Sequence, residues 1–180
     1  MKHHRRSIRL QDYDYSQASA YFITICAHQH KCIFGSITDG IMHPNGLGEL
    51  VVAEWQHTSV VRPTVELDYY VVMPNHFHGI LALADSVCRD MACRAHNIPQ
   101  SQSLKRAFGT AIADSVPTIV GAFKSAASRR INVLQSTPGG IVWQRNYHEH
   151  VIRDEQDLSK IRKYIANNPL KWELDRYFVK

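Results

Sequence analysis

The stretch Leu-Asp-Tyr-Tyr-Val-Val-Met-Pro-Asn-His-Phe-His-Gly-Ile-Leu-Ala-Leu, residues 67–83, constrains this chain more than any other part of it. Two runs rich in β-branched and aromatic residues flank Pro74-Asn75, so the stretch reads as two adjacent strands joined by a tight turn. Side chains alternate faces along a strand. His76 and His78 therefore share one face, while Phe77 points into the opposite layer. Two imidazoles about 7 Å apart along a strand can converge on one divalent metal. They can equally be two polar residues on the wet face of a half-buried sheet, and the pair alone leaves both readings open.

The rest of the chain supplies partners for these strands. Residues 1–20 form a basic N-terminal arm carrying Arg5, Arg6 and Arg9, and residues 21–180 read as a single domain with a variable insertion at about 84–115. Tyr21–Cys26 is β-branched and aromatic almost throughout and predicts a central strand. Thr38-Asp39-Gly40 predicts a small hairpin, and Leu47, Leu50, Val51 and Trp55 predict a helix from Leu47 to about Val60. Within the insertion, Cys88, Cys93 and His96 match no strong zinc spacing. Ile119, Phe123, Ala127 and Ile131 step by four along a helix from about Pro117 to Leu134. Residues 141–152 read as an extended segment with an irregularity near Asn146. Asp154 is suited to cap a final helix that Asn168-Pro169 closes, leaving a short tail around Trp172.

Without the hairpin and the last helix, the order is β-α-β-β-α-β. The expected fold class is α+β: a ferredoxin-like, RRM-like antiparallel sheet with helices on one face, plus a C-terminal helix bearing Tyr164. The other face is left for function.

A net charge of +5 suggests an acidic polymer as partner, most simply nucleic acid. Lys124, Arg129, Arg130 and Arg145, with the arm arginines, are the candidate DNA contacts. No apolar run approaches the roughly 20 residues needed to span a bilayer. The N-terminus lacks the apolar core of an export signal, so no membrane partner and a cytoplasmic location are expected. Four cysteines at irregular spacing then read as reduced thiols.

In the last helix Leu158, Ile161 and Ile165 mark the buried stripe. Tyr164 lies about 90° and Asn168 about 50° from its centre, as neighbours on one flank. Periodicity does not place that flank against the histidines.

Val-Val-Met-Pro-Asn followed by His76-Phe77-His78 resembles the histidine–apolar–histidine (HUH) motif of the single-tyrosine transposases. Further stretches resemble the REP-associated tyrosine transposases: Arg6–Leu10, Tyr13–Tyr15, Tyr21–Cys26, Trp143–Arg153 and Tyr164–Pro169. The insertion lies outside the resemblance. The likeness implies that His76 and His78 bind Mg²⁺ or Mn²⁺, that Asn168 stands at the position of a third metal ligand, and that Tyr164 is the nucleophile. Related mobile-element transposases usually carry glutamine where Asn168 stands. His150 matches a recurrent family position and is a site-adjacent candidate. The implied substrate is single-stranded or hairpin DNA, cut through a 5′-phosphotyrosine intermediate. The implied assembly is a monomer or homodimer, with the tyrosine helix serving its own subunit or its partner. Two alternatives compete: a non-catalytic RRM-like nucleic-acid-binding module, and a metal-dependent nuclease that uses water.

Overall fold

A computed structural model describes residues 13–84 and 114–179 of the chain. Its elements run β1 (Ser19–Cys26), β2 (Gly35–Thr38), β3 (Ile41–Pro44), α1 (Gly46–Val61), β4 (Val65–Met73), β5 (His76–Leu83), α2 (Val116–Leu134), β6 (His148–Ile152) and α3 (Glu155–Asn167). A short 3-10 helix, Pro169–Leu174, follows. β4, β5, β1 and β6 lie side by side in that order, every neighbouring pair antiparallel, and β2 and β3 form the separate hairpin. This is the expected β-α-β-β-α-β sheet.

One face of the sheet is sealed by α1 and α2. Tyr21, Ile23 and Ile25 of β1 and Phe77 and Leu81 of β5 alternate into that layer and meet Val51, Trp55, Ile119, Phe123, Ala127 and Ile131. Trp55 joins all three elements, its ring 4.7 Å from Phe77 and 5.2 Å from Phe123. The entry to α1 is set by Asn45, whose side chain accepts from the amides of Leu47 and Gly48. A side chain at Gly48 would place its Cβ 2.2 Å from the Phe34 carbonyl oxygen, so only glycine allows that approach.

The other face is covered rather than open. At one end Ala20, Ile80, Ala82 and Ile152 form an apolar floor on which Leu158 and Ile165 of α3 pack. An irregularity in β4 between Leu67 and Tyr70 frees Asp68, which accepts from Arg162 Nε of α3 at 2.8 Å.

Several boundaries differ from the sequence reading, two of them with a structural consequence. β1 begins at Ser19 rather than Tyr21. The extended segment expected over 141–152 is a strand only from His148 to Ile152. Upstream, Trp143 makes an isolated bridge to Ala27, and its indole turns into the core 4.9 Å from Phe34, drawing the chain off the ladder. The arm arginines Arg5, Arg6 and Arg9, and Cys88, Cys93 and His96 of the insertion, lie outside the described residues. No helix among the described residues is long and apolar enough to cross a membrane.

Candidate active site

Strand register assembles the polar half of the covered face. Cys26 pairs with His76, Thr24 with both His78 and His148, and Phe22 with His150, so these side chains share one surface. Alternation along β5 brings the two imidazoles together, with His76 Nε2 and His78 Nε2 3.0 Å apart. Each ring is held from behind at Nδ1: His76 by Asn75 Oδ1 at 2.9 Å, and His78 by Thr24 Oγ1 at 2.8 Å. Exposure is 0% for His76 and 1% for His78. Burial pushes His76 down to about 4, against the opposing pull of Asp175. Burial and then the neighbouring His76 hold His78 well below the usual histidine range. Both rings are thus neutral near neutral pH, the state in which imidazole binds a metal.

α3 delivers the other half. Asp154 caps it by accepting from the Asp157 amide at 2.8 Å. With the helix clamped by Arg162–Asp68, the Tyr164 hydroxyl stands 3.3 Å from His78 Nε2 and 3.4 Å from Asp175 Oδ2. The tyrosine therefore reaches the histidines of its own chain. Burial, followed by the Asp175 charge, raises Tyr164 to about 12. One turn on, Asn168 is buried; its Nδ2 donates to Asp175 Oδ2 at 3.0 Å, and its Oδ1 is left without a partner.

Sequence reasoning missed the segment after α3. The turn beyond Pro169 folds back over the histidines, with the Tyr177 ring 4.7 Å and the Trp172 ring 6.0 Å from His76. Asp175 brings its carboxylate into one cluster with His76 and His78, the three ligating atoms lying within 4.8 Å of one another. Three aromatics within seven residues, Trp172, Tyr177 and Phe178, are the signal in the sequence that this tail packs rather than being solvated. Two facing imidazole nitrogens, a carboxylate and an orphaned buried amide oxygen make a donor set that fits a divalent cation.

The remaining candidates sit elsewhere. His150 shares the functional face, but its Nε2 pairs with Asp157 at 2.8 Å, tying β6 to α3. Lys124 donates to the carbonyls of Gln144 and Arg145 at 2.7 and 3.0 Å, and Arg130 pairs with Glu54 of α1 at 2.7 Å. Arg129 and Arg145 are exposed. Lys124, Arg129 and Arg130 belong to α2, on the opposite side of the sheet from Tyr164. Lys124 and Arg145 line a shallow groove of about 320 Å³ together with Ser125, Ser128 and Trp143.

No family model matches the chain. An uncharacterized protein of Haemophilus influenzae is 39% identical over 181 residues, spanning 98% of this chain and 94% of that protein. Among solved structures, a REP-associated tyrosine transposase bound to a REP hairpin superimposes with a TM-score of 0.59 at 17% identity. The match covers 98% of this chain and 77% of that one.

Proposed function

We propose, for a chain that belongs to the same family as the Haemophilus influenzae protein and has the fold of a REP-associated tyrosine transposase, that it nicks and rejoins single-stranded DNA through Tyr164. One observation carries this reading. The Tyr164 hydroxyl lies 3.3 Å from His78 Nε2, although the two residues are 86 apart in sequence. A helix and a strand bring a tyrosine hydroxyl and two imidazole nitrogens to one point, which supports reading them as a nucleophile beside a metal-binding pair.

His76, His78 and the Asn168 oxygen, with Asp175 as the carboxylate, would hold Mg²⁺ or Mn²⁺, which when bound polarises and orients a scissile phosphate. Tyr164 Oη attacks phosphorus; the bond to the 3′ oxygen breaks, giving a 5′-phosphotyrosine and a free 3′-OH. Attack of a 3′-OH on that linkage reverses the step, so joining needs no external energy source. With its pKa raised to about 12, Tyr164 is a phenol at neutral pH and must lose its proton as it attacks. Asp175 Oδ2, at 3.4 Å, is within reach to receive it. His76 is buried against Trp172 and Tyr177, and His78 against Tyr177, so access of a phosphate to them would require that segment to shift.

The hairpin in the structural relative favours hairpin-forming repeat DNA as the substrate, acted on in the cytoplasm. Arg129 and Arg145, exposed on the α2 side, and the arm arginines are proposed to contact flanking phosphates. The test is a denaturing gel of the protein incubated with labelled single-stranded hairpin DNA from repeats flanking its own gene, with Mg²⁺, Mn²⁺ or chelator. The expected result is a metal-dependent protein–DNA band that Tyr164→Phe lacks. Cleavage without that band, undiminished in Tyr164→Phe, would assign a water-using nuclease. Tight binding indifferent to metal, with no cleavage, would assign a recognition module.

A further inference from the structure

We infer that Asn75 is a positioning residue: its side-chain amide fixes the tautomer of His76 and aims the Nε2 lone pair of that ring into the site. The inference rests on the reading of His76 as a metal ligand. In the sequence Asn75 is simply half of a Pro-Asn turn, where asparagine commonly bonds its own turn backbone. Here its side chain serves other elements. Asn75 is fully buried, and Nδ2 donates to the carbonyl oxygens of His30 at 3.2 Å and Tyr177 at 2.7 Å.

Two carbonyls can only accept, so the amide nitrogen must face them, and chemistry alone settles which way the amide lies. Its oxygen then faces His76 Nδ1 at 2.9 Å. That oxygen carries no hydrogen, so Nδ1 must be the protonated nitrogen of His76. A neutral imidazole has one N–H; Nε2 is therefore a lone pair, directed at His78.

His78 is held differently. Behind it stands the Thr24 hydroxyl at 2.8 Å, a group that can donate or accept. Two lone pairs facing each other at 3.0 Å would repel, so in the metal-free protein His78 keeps its proton on Nε2 and donates to His76, while Thr24 donates to His78 Nδ1. For both Nε2 atoms to serve as ligands, His78 would have to carry its proton at Nδ1 instead, where the Thr24 oxygen can accept it. No net charge changes. The pair thus has one fixed member, set by an amide that cannot turn, and one switching member, set by a hydroxyl that can.

Long-range ¹H–¹⁵N correlation NMR of the metal-free protein, then with Mg²⁺ as a diamagnetic probe, reads both rings. The expected result is His76 protonated at Nδ1 throughout, and His78 moving from the Nε2–H to the Nδ1–H form as Mg²⁺ is added. Asn75→Ala should leave His76 without a single tautomer and weaken Mg²⁺ binding, measured by calorimetry, about 10- to 100-fold. Asn75→Asp retains an acceptor for Nδ1–H while losing both donated bonds, and should keep the His76 tautomer. That variant and the wild-type spectrum decide the matter if Asn75→Ala fails to fold. His76 protonated at Nε2 in the wild type, or a tautomer and Mg²⁺ affinity unchanged by Asn75→Ala, would overturn the inference. These readouts use no DNA, so the expected tautomers without any phosphotyrosine band would refute the strand-transfer reading and leave the role of Asn75 standing.

Discussion

The two faces of this sheet are made by the same strands and differ in what they are for. Toward α1 and α2, β1 and β5 present Tyr21, Ile23, Ile25, Phe77 and Leu81, a continuous apolar layer with Trp55 and Phe123 driven into it. Toward α3 the same strands present two surfaces end to end. Ala20, Ile80 and Ala82 are apolar and dock the helix; Thr24, His76 and His78 are polar and receive what the helix carries. The first face shows how burial of a uniform layer makes a stable platform. The second shows that burial can also hold two imidazoles in their neutral form. Together with Asp175 those rings form a donor cluster that could hold a metal ion.

Adjacent residues of β5 should therefore fail in opposite ways. Phe77→Ala empties a site between Trp55, Tyr70 and Phe123, and should destabilise the fold by about 3–5 kcal/mol in urea unfolding. His78→Ala should instead abolish the stabilisation that saturating Mg²⁺ or Mn²⁺ is expected to give the wild type, about 2.7 kcal/mol when the ion is at 100 times its Kd, read as a rise in melting temperature. The smallest effect belongs to the rim. His150→Ala removes a half-exposed pair with Asp157 and should change stability by about 0–1 kcal/mol, leaving the metal-induced shift intact. Loss of that shift in His150→Ala would move His150 into the site and blur the division between its polar centre and its edge.

The sequence was legible wherever a period carried the information. A period of two put His76 and His78 together and Phe77 opposite them, and a step of four marked the buried side of α2 through Ile119, Phe123, Ala127 and Ile131. Helical period also placed Tyr164 and Asn168 on one flank. It did not say what that flank meets, because docking depends on Ala20, Ile80, Ala82 and Ile152, small or isolated apolar residues scattered over three strands, and on Asp68–Arg162, partners 94 apart. Asp175 and Tyr177 belong to a tail with no repeat to read. Asn75 was hidden by its commoner role: a turn asparagine announces a turn, and nothing local says that its side chain reaches His30, His76 and Tyr177. The family resemblance singled out Tyr164 as the proposed nucleophile; the geometry adds the residues that surround it.

Tyr164 is proposed to be the nucleophile whose oxygen bonds to phosphorus, and Tyr177, whose ring lies 6.3 Å from that of His78, is the neighbouring tyrosine that could take its place. The most direct measurement traps the covalent adduct on hairpin DNA, trims the DNA with nuclease, and maps the nucleotide remnant by peptide mass spectrometry. A remnant on Tyr164 is the predicted result. A remnant on Tyr177 or any other residue would contradict the account.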